Sequence, residues 1–265
     1  MKKILLLFVS IIPAIAYSQT NEIGVEVGAS NYLGDLAPSI AIRETHPEFG
    51  AYIKKNRPNG FVSWKYGLYL ATISGNDQNF KQNQTRNLDF KSQLIEASVQ
   101  FEFNFQKFFI GLRAEDFSPY IFAGLGATYF NPKGTYNGEY INLKPLSTEG
   151  QGLPNGPKPY SNFSAVAPVG IGTKWVIGRR WNLYAHTGFR FSFTDYLDDV
   201  SGTYYDNSVI FESKGNVAAY MANKSPDQIF ITDKQRGNPQ RNDWYFFTGV
   251  SISYWLLDKE CFNFK

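Results

Sequence analysis

The chain has 265 residues, and 26 Lys and Arg against 23 Asp and Glu give a formal net charge of +3. Two of the positive charges, Lys2 and Lys3, lie in a predicted export signal, so the mature chain would have 24 basic and 23 acidic residues, and no nucleic-acid partner is implied. The single cysteine excludes an internal disulfide, and with only two histidines the composition argues against a Cys/His metal site.

The predicted export signal covers residues 1–18. Met1 to Lys3 form a short positive region, residues 4–15 are apolar, and small residues follow at Ala14, Ala16 and Ser18. Cleavage is expected after Ser18, with Ala16 as the alternative. The apolar run is too short to anchor the chain as a membrane helix. Residues 19–265 then form one predicted domain that ends in a short tail at 258–265.

Eight segments with alternating apolar and polar residues follow the signal. In chain order they are predicted at about 22–34, 47–55, 61–74, 94–105, 119–130, 161–177, 183–194 and 244–257. Segments of this length suit a tilted strand that crosses a membrane, which takes about 9–11 residues. Aromatic residues make up 17% of the chain although its mean hydropathy is −0.31, as in a barrel that is apolar outside and polar inside. Pro168 cannot donate a ladder hydrogen bond, so a bulge or local break is expected there.

The connections between these segments alternate in length and predict an orientation. Those at 56–60 and 178–181 are short and the one at 106–118 is intermediate, whereas those at 35–46, 75–87, 131–160 and 196–243 are longer. The predicted fold is therefore an all-β, eight-stranded antiparallel transmembrane barrel of the outer membrane, with periplasmic termini, short periplasmic turns and long extracellular loops. A short helix is predicted at 217–223 in the last long loop.

Charged residues at inward positions predict a polar network inside the barrel. The interior of an eight-stranded barrel is just wide enough for side chains to fill it, and buried charges of both signs must pair. The predicted network consists of Glu26, Lys65, Glu96, Glu102, Lys174 and Arg190. A structural polar plug without an open channel is the favoured interpretation, and a path for protons or solutes is the alternative.

No enzymatic activity is predicted. His186 and Ser192 share the inward face of one strand but are separated by on the order of 20 Å, so they cannot act together as base and nucleophile. Asp195, Asp198 and Asp199 resemble a calcium-binding loop in composition but not in ligand spacing. No cofactor, metal or small-molecule substrate is predicted.

The predicted periplasmic turns and tail are basic, with nine positive and four negative side chains. Attraction to lipid headgroups is one interpretation, and docking to an acidic periplasmic partner is the other. The residues predicted to bind such a partner are Lys54, Lys55, Arg57, Lys107, Phe108, Phe109, Arg113, Arg179 and Arg180. The two phenylalanines would supply an apolar anchor or belong to an interfacial aromatic belt.

Five segments, taken in order, resemble a known family. They are SNYLGDL at Ser30–Leu36, SPYIFAGLGA at Ser118–Ala127, PLSTEGQG at Pro145–Gly152, RRWNL at Arg179–Leu183 and TDYLDDVSGTY at Thr194–Tyr204. In this order and spacing they are similar to the PorG family of outer-membrane barrels of the Bacteroidota. The resemblance covers essentially the whole mature chain.

This resemblance implies a component of the type IX secretion system, the machine that also serves gliding motility. It implies an outer-membrane protein that performs no chemistry and tethers or positions a periplasmic ring built from a lipoprotein and its partner. The alternative is a general outer-membrane barrel with surface loops for adhesion, ligand binding or envelope integrity.

Overall fold

The computed structural model describes residues 20–109 and 116–256, so the predicted signal and tail lie outside the described residues. The strands are β1 (Thr20–Leu33), β2 (His46–Asn56), β3 (Val62–Asn76), β4 (Asp89–Asn104), β5 (Phe117–Tyr136), β6 (Glu139–Asn142), β7 (Phe163–Val176), β8 (Trp181–Ser192) and β9 (Trp244–Leu256), and the α-helices are α1 (Asn207–Lys214) and α2 (Asn216–Ala222). Among these residues, no helix combines the length and the apolar character needed to cross a bilayer.

Eight of the strands form a closed antiparallel barrel, which confirms the predicted fold class. Each long strand pairs with the next, β5 pairs directly with β7, and β4 pairs with β5. The barrel closes between β1 and β9, from Leu33 opposite Trp244 to Asn21 opposite Leu256. The short strand β6 pairs with the end of β5 and forms a hairpin arm beyond the barrel. A closed sheet leaves no long edge open to pairing with another chain.

Strand boundaries differ from the predicted ones where the strands run into the loops. Strand β4 begins at Asp89 rather than near residue 94, and β5 continues to Tyr136 rather than ending near 130. Strand β8 starts at Trp181 and ends at Ser192, two residues earlier at each end than predicted. The remaining strands begin and end within two residues of the predicted boundaries.

The irregularity expected at Pro168 is a local break and not a bulge. Pairing between β5 and β7 lapses between Val166 and Val169, and it resumes in the same register. A bulge would have shifted the register by one residue. On the other side of the strand, Pro168 remains opposite Arg190 of β8. The proline therefore interrupts one ladder only, because its nitrogen has no hydrogen to donate.

The outer and inner faces of the barrel have opposite character. Large apolar side chains are exposed on the outer face of all eight barrel strands, as illustrated by Val25, Leu68, Leu125 and Ile171, which are 54–69% exposed. The inner face is buried and consists of charged, polar and aromatic side chains. We call the outer apolar surface the belt. Such an exterior is costly in water and is the surface that a membrane-spanning barrel presents to lipid.

Glycines in the barrel wall make room for aromatic rings in the lumen. A Cβ atom on Gly24 would lie 2.3 Å from the ring of Tyr52, and one on Gly170 or Gly188 would lie 2.4 or 2.5 Å from Phe122. These distances are shorter than any van der Waals contact between carbon atoms. The wall can therefore hold no larger residue at these positions while the rings fill the interior.

The long loops fold together over one end of the barrel. They comprise residues 34–45, 77–88, 137–162 and 193–243, and we call this assembly the cap. Its hydrophobic cluster joins loop residues such as Leu36, Leu143 and Val200 to Phe90 and Phe130 of the upper barrel. Helix α2 matches the predicted helix at 217–223, whereas α1 before it was not predicted. The opposite end contains residues 57–61, 105–109, 116 and 177–180, and we call it the turn end.

Candidate functional site

All six residues of the predicted interior network lie inside the barrel, and each is at most 6% exposed. Inside the lumen, Glu26 lies between two partner groups. Nζ of Lys65 lies 2.7 Å from its Oε2 atom, and Nε2 of His186 lies 2.8 Å from its Oε1 atom. The Lys65 ammonium also lies 4.4 Å from the centre of the Tyr52 ring. Burial of this carboxylate is thus offset by direct partners on opposite walls.

A second cluster lies nearer the turn end and is centred on Glu102. Its Oε2 atom accepts from Nζ of Lys54 at 3.0 Å and from Nζ of Lys174 at 3.1 Å. The ring of Tyr184 lies under Lys54, with the ammonium 3.7 Å from the ring centre. The ring of Phe108 lies 5.4 Å from Nζ of Lys174 and is buried with it. One carboxylate and several aromatic faces therefore stabilise two neighbouring cations.

A third cluster lies toward the cap. Nε of Arg190 is 3.6 Å from a carboxylate oxygen of Glu96, and the hydroxyl of Tyr245 donates to the same oxygen at 2.8 Å. The guanidinium lies 4.2 Å from the centre of the Phe247 ring. The three clusters together support the plug interpretation, because paired charges and rings occupy the lumen at three levels.

Two of the predicted partner-binding residues are buried, so their assignment to the surface was wrong. Lys54 is 1% exposed and Phe108 is 7% exposed. Lys54 points inward because side chains alternate along β2, which puts Lys54 on the same face as the buried Tyr52. Phe108 is buried because its ring packs beside the interior Lys174.

The other predicted partner-binding residues remain near the surface of the turn end. Lys55, Arg57, Lys107, Arg179 and Arg180 are exposed, Phe109 is half-buried against Gly60, and Arg113 lies outside the described residues. Asp116 is an exposed acid at the same end. The described turn end therefore presents five cationic side chains, without the apolar anchor that Phe108 was expected to supply.

The sequence prediction also omitted Glu22 and Glu48 from the interior network. Glu22 accepts hydrogen bonds from the hydroxyl of Tyr184 at 2.5 Å and from the amide of Asn182 at 3.1 Å, and also from Ser253. Glu48 is fully buried, opposite Gly28 of β1. Both occupy inward-facing positions of their strands, so strict alternation would have predicted them as members of the network.

The residues considered for catalysis are not brought together. His186 contacts Glu26 in the lumen, whereas the hydroxyl of Ser192 donates to the backbone carbonyl of Asp243 at 2.7 Å. Within residues 20–109 and 116–256, no group of three or more His, Cys, Asp or Glu side chains is arranged to hold a metal ion.

A carboxyl pair joins the cap to the barrel through one tyrosine. The hydroxyl of Tyr32 lies 2.7 Å from Oδ2 of Asp198 and 2.5 Å from Oδ1 of Asp243, and it accepts the backbone N–H of Asp35 at 3.1 Å. A hydroxyl has one proton, so it can donate to only one of the two carboxyl groups. The other must donate to the hydroxyl and is therefore protonated. Burial raises the pKa of both Asp198 and Asp243 well above the ordinary value, and the carboxyl groups of Asp35 and Asp198, respectively, add to the two shifts.

Two further acids of the cap have raised pKa values. Burial, together with the carboxylates of Asp35 and Glu149, raises the pKa of Asp195 to about 7. Burial raises the pKa of Asp199 to about 6, although Arg236 opposes the shift and the hydroxyl of Tyr160 donates to its carboxylate at 2.6 Å. These groups change charge near neutral pH, so the stability of the cap should depend on pH.

Two arginines, the buried Arg236 and the half-buried Arg86, connect separate loops of the cap. Arg236 donates from Nη1 to the carboxylate of Glu149 at 2.9 Å and to the carbonyl of Asp199 at 2.8 Å. Arg86 donates from Nε and Nη2 to the carboxylate of Asp77 at 2.8 and 2.6 Å, and from Nη1 to the carbonyl of Arg236. This chain of charge-assisted hydrogen bonds holds the loops in one arrangement.

Comparisons with known proteins place the chain in a family. Residues 1–219 match the family described as a domain of unknown function, DUF6089. No curated protein matches the chain.

Solved structures similar to the chain include small barrels with very low sequence identity. Neisserial surface protein A is 9% identical with a TM-score of 0.42, covering 88% of this chain and 96% of its own. Ail of Yersinia pestis, in complex with the heparin analogue sucrose octasulfate, is 8% identical with a TM-score of 0.44, covering 91% and 100%. The outer membrane protein OprG of Pseudomonas aeruginosa is 8% identical with a TM-score of 0.37, covering 91% and 99%. The fold assignment follows from the strand pairing of this chain.

Replacing Lys54 with Met should destabilise the barrel, whereas replacing the adjacent Lys55 should not. Lys54→Met leaves Glu102 with Lys174 alone, and we expect the free energy of unfolding to fall by about 3 kcal/mol. Lys55 is exposed, so Lys55→Met should change it by less than about 0.5 kcal/mol. Urea unfolding of the purified barrel in lipid vesicles measures both. Equal effects of the two variants would show that Lys54 is not part of the interior network.

The cap should be most stable in mild acid. The pKa values of Asp195 and Asp199 lie above those of the unfolded chain, so the folded cap binds more protons between about pH 4 and 7. Its stability should therefore fall as the pH rises through 6 and 7. Limited proteolysis of residues 193–243 in the intact barrel, normalised to cleavage of an unstructured peptide, measures this change. Asp195→Asn should flatten the profile, whereas Asp206→Asn, at an exposed helix cap, should leave it unchanged. Identical profiles for both variants and the parent chain would contradict the assignment.

Proposed function

We propose that this chain, which belongs to the DUF6089 family, is a non-enzymatic barrel of a bacterial outer membrane that presents its cap for ligand binding or adhesion. The belt is the observation that supports this proposal most directly. Exposed apolar side chains cover the outer face of all eight barrel strands, while charged side chains are buried inside. Lipid cannot satisfy open backbone groups, and a closed antiparallel barrel leaves none.

The unequal ends of the barrel support one orientation. The turn end has short connections, and all four long loops are gathered in the cap at the other end. Outer-membrane barrels have short periplasmic turns and longer external loops. In this orientation the cap meets the surroundings of the cell and the turn end meets the periplasm.

The construction of the cap supports a role in recognition. Its loops are held together by the buried ion pair of Arg236 with Glu149 and by the hydrogen bonds that Arg86 donates to the carbonyls of Asp35 and Arg236. Binding residues are often found on loops that a rigid scaffold positions. The lumen, in contrast, is filled by paired side chains, which favours the plug interpretation over a solute path.

A second candidate function is a tether in the type IX secretion system, as the PorG resemblance implies. The observation that favours it is the cluster of exposed cations at the turn end: Lys55, Arg57, Lys107, Arg179 and Arg180. A surface of this charge fits an acidic periplasmic partner, such as the lipoprotein of the ring. Burial of Lys54 and Phe108 leaves this candidate with a smaller and more polar contact surface than expected.

Cysteine labelling of intact cells tests the location and the orientation. Lys158 is exposed in the cap and Asn59 is exposed at the turn end. In a chain with Cys261→Ser, a membrane-impermeant maleimide should label Lys158→Cys in intact cells, and Asn59→Cys only after permeabilisation. Labelling of Asn59→Cys alone in intact cells would reverse the orientation. Recovery of the protein in the soluble fraction would refute the membrane assignment.

Photo-crosslinking distinguishes the tether from a general barrel. A photoreactive residue at Arg179 should capture a periplasmic ring protein if the chain is a tether, and the same residue at Lys158 should not. Changing Lys55, Arg57 and Arg180 together to Glu in that chain should abolish the capture, because it reverses the charge of the surface around position 179. If Arg179 captures no periplasmic protein and deletion of the gene leaves secretion intact, the tether is excluded.

A further inference from the structure

We propose that a polar cleft in the cap binds an acidic saccharide. The cleft has a volume of about 560 Å³ and lies between residues 33–38, 82–86 and 230–244. This volume is in the usual range for small-molecule sites. The inference deepens the proposed recognition role of the cap. It rests on that proposal only for the location, outside the cell, in which the protein would encounter its ligand.

The buried side of the cleft contains a fixed guanidinium. Arg236 is 3% exposed and lines the cleft. Its Nη1 is held by Glu149 and the carbonyl of Asp199, and its Nε donates to the carbonyl of Ala222 at 3.3 Å. Among the described residues these bonds leave Nη2 without an acceptor. A guanidinium has five N–H groups, so two remain available to an anionic ligand in a fixed direction.

The rim of the cleft adds two exposed cations beside aromatic rings. Lys234 and Arg241 are exposed lining residues. Nζ of Lys234 lies 4.5 Å from the centre of the Phe230 ring, and the guanidinium of Arg241 lies 5.7 Å from that of Trp244. These contacts keep the charges beside the cleft while leaving them accessible to a ligand.

The charge of the lining selects an anion. The cationic lining residues are Arg86, Lys234, Arg236 and Arg241, and Asp35 is the only acid among the lining residues of the described chain. The Asp35 carboxylate is already engaged, because it accepts the backbone N–H of Asn238 at 2.8 Å. Asp77 and Glu149 pair with Arg86 and Arg236, so Lys234 and Arg241 outweigh Asp35 and leave a net charge of +1. A divalent cation would be repelled.

The uncharged lining selects a ligand rich in hydroxyl groups. Five amide side chains line the cleft, namely Gln82, Asn83, Gln235, Asn238 and Asn242. An amide both donates and accepts hydrogen bonds, as does each hydroxyl of a sugar. A nucleobase would need an open aromatic face, but Phe230 is stacked on Tyr204 at 5.1 Å and covered by Lys234. Cations combined with amides therefore fit an acidic saccharide best.

Two sources could supply this chemistry. Leu33 and Trp244 face each other across β1 and β9 and continue the belt to the edge of the cleft. A glycolipid could therefore place its acidic headgroup in the cleft and its acyl chains against the belt. A soluble acidic polysaccharide could enter the cleft from the opposite side.

Binding to the purified full-length barrel tests the proposal. The soluble probe is a fluorescein-labelled oligogalacturonate, with a neutral dextran oligosaccharide of similar length as its control. The lipid probe is phosphorylated lipid A in nanodiscs, detected by native mass spectrometry. Lys234→Gln with Arg241→Gln should weaken binding by about ten-fold or more, since the ligand loses two charge-assisted hydrogen bonds. Lys158→Gln with Lys214→Gln removes the same charge from exposed cap positions outside the cleft and should change binding less than two-fold.

The outcomes separate the sources and the hypotheses. Binding of oligogalacturonate supports the hypothesis that the cleft binds a soluble acidic saccharide. Retention of lipid A alone supports the hypothesis that it binds the headgroup of a glycolipid. Binding of neither probe, equal binding of dextran, or equal effects of the two double variants would overturn the proposal. Because binding is measured on purified protein, such a failure is independent of the cysteine labelling that tests membrane location.

Discussion

Pairing of charges across the lumen is the constraint on which the rest of this structure depends. Glu26 on β1 meets Lys65 on β3 and His186 on β8, so one cluster fixes three strands from opposite walls. An isolated buried charge costs several kcal/mol. A slip of one residue in any strand would turn these charges toward the belt and bring apolar side chains into the lumen. The positions of the paired charges therefore determine strand register, barrel closure and the polar interior together.

Sequence alternation was sufficient to predict the eight barrel strands because each of their faces meets one kind of surroundings. It failed at the loop ends of β4 and β5. There the outward side chains of Lys91 and Lys133 are half-buried by neighbouring residues instead of facing an apolar exterior. The contrast between the two faces disappears at these extensions, and the periodic signal disappears with it. The break at Pro168 was predictable because it follows from the missing N–H alone.

The candidate site was harder to predict because it depends on where strands end and how loops pack. Lys54 and Lys55 are adjacent near the end of β2, and both were assigned to the surface although alternation along the strand turns Lys54 inward. The cap has no periodicity, and its defining contacts join distant positions. Tyr32 meets Asp243 across 211 positions, and Arg86 meets Arg236 across 150. Arg236 gives no local signal in the sequence, because its role comes from the loops that surround it.

Closure between β1 and β9 has a consequence for biogenesis. The two strands are the first and the last of the described strands, so the β1 edge has no partner until residues 244–256 have been synthesised. Until then, the hairpins already made belong to an open sheet with two unpaired edge strands, to which other chains can bind. Such late, long-range pairing slows folding and lengthens the period in which aggregation competes with it. The nascent polypeptide therefore needs a chaperone that covers both edge strands until the last strand is available for pairing.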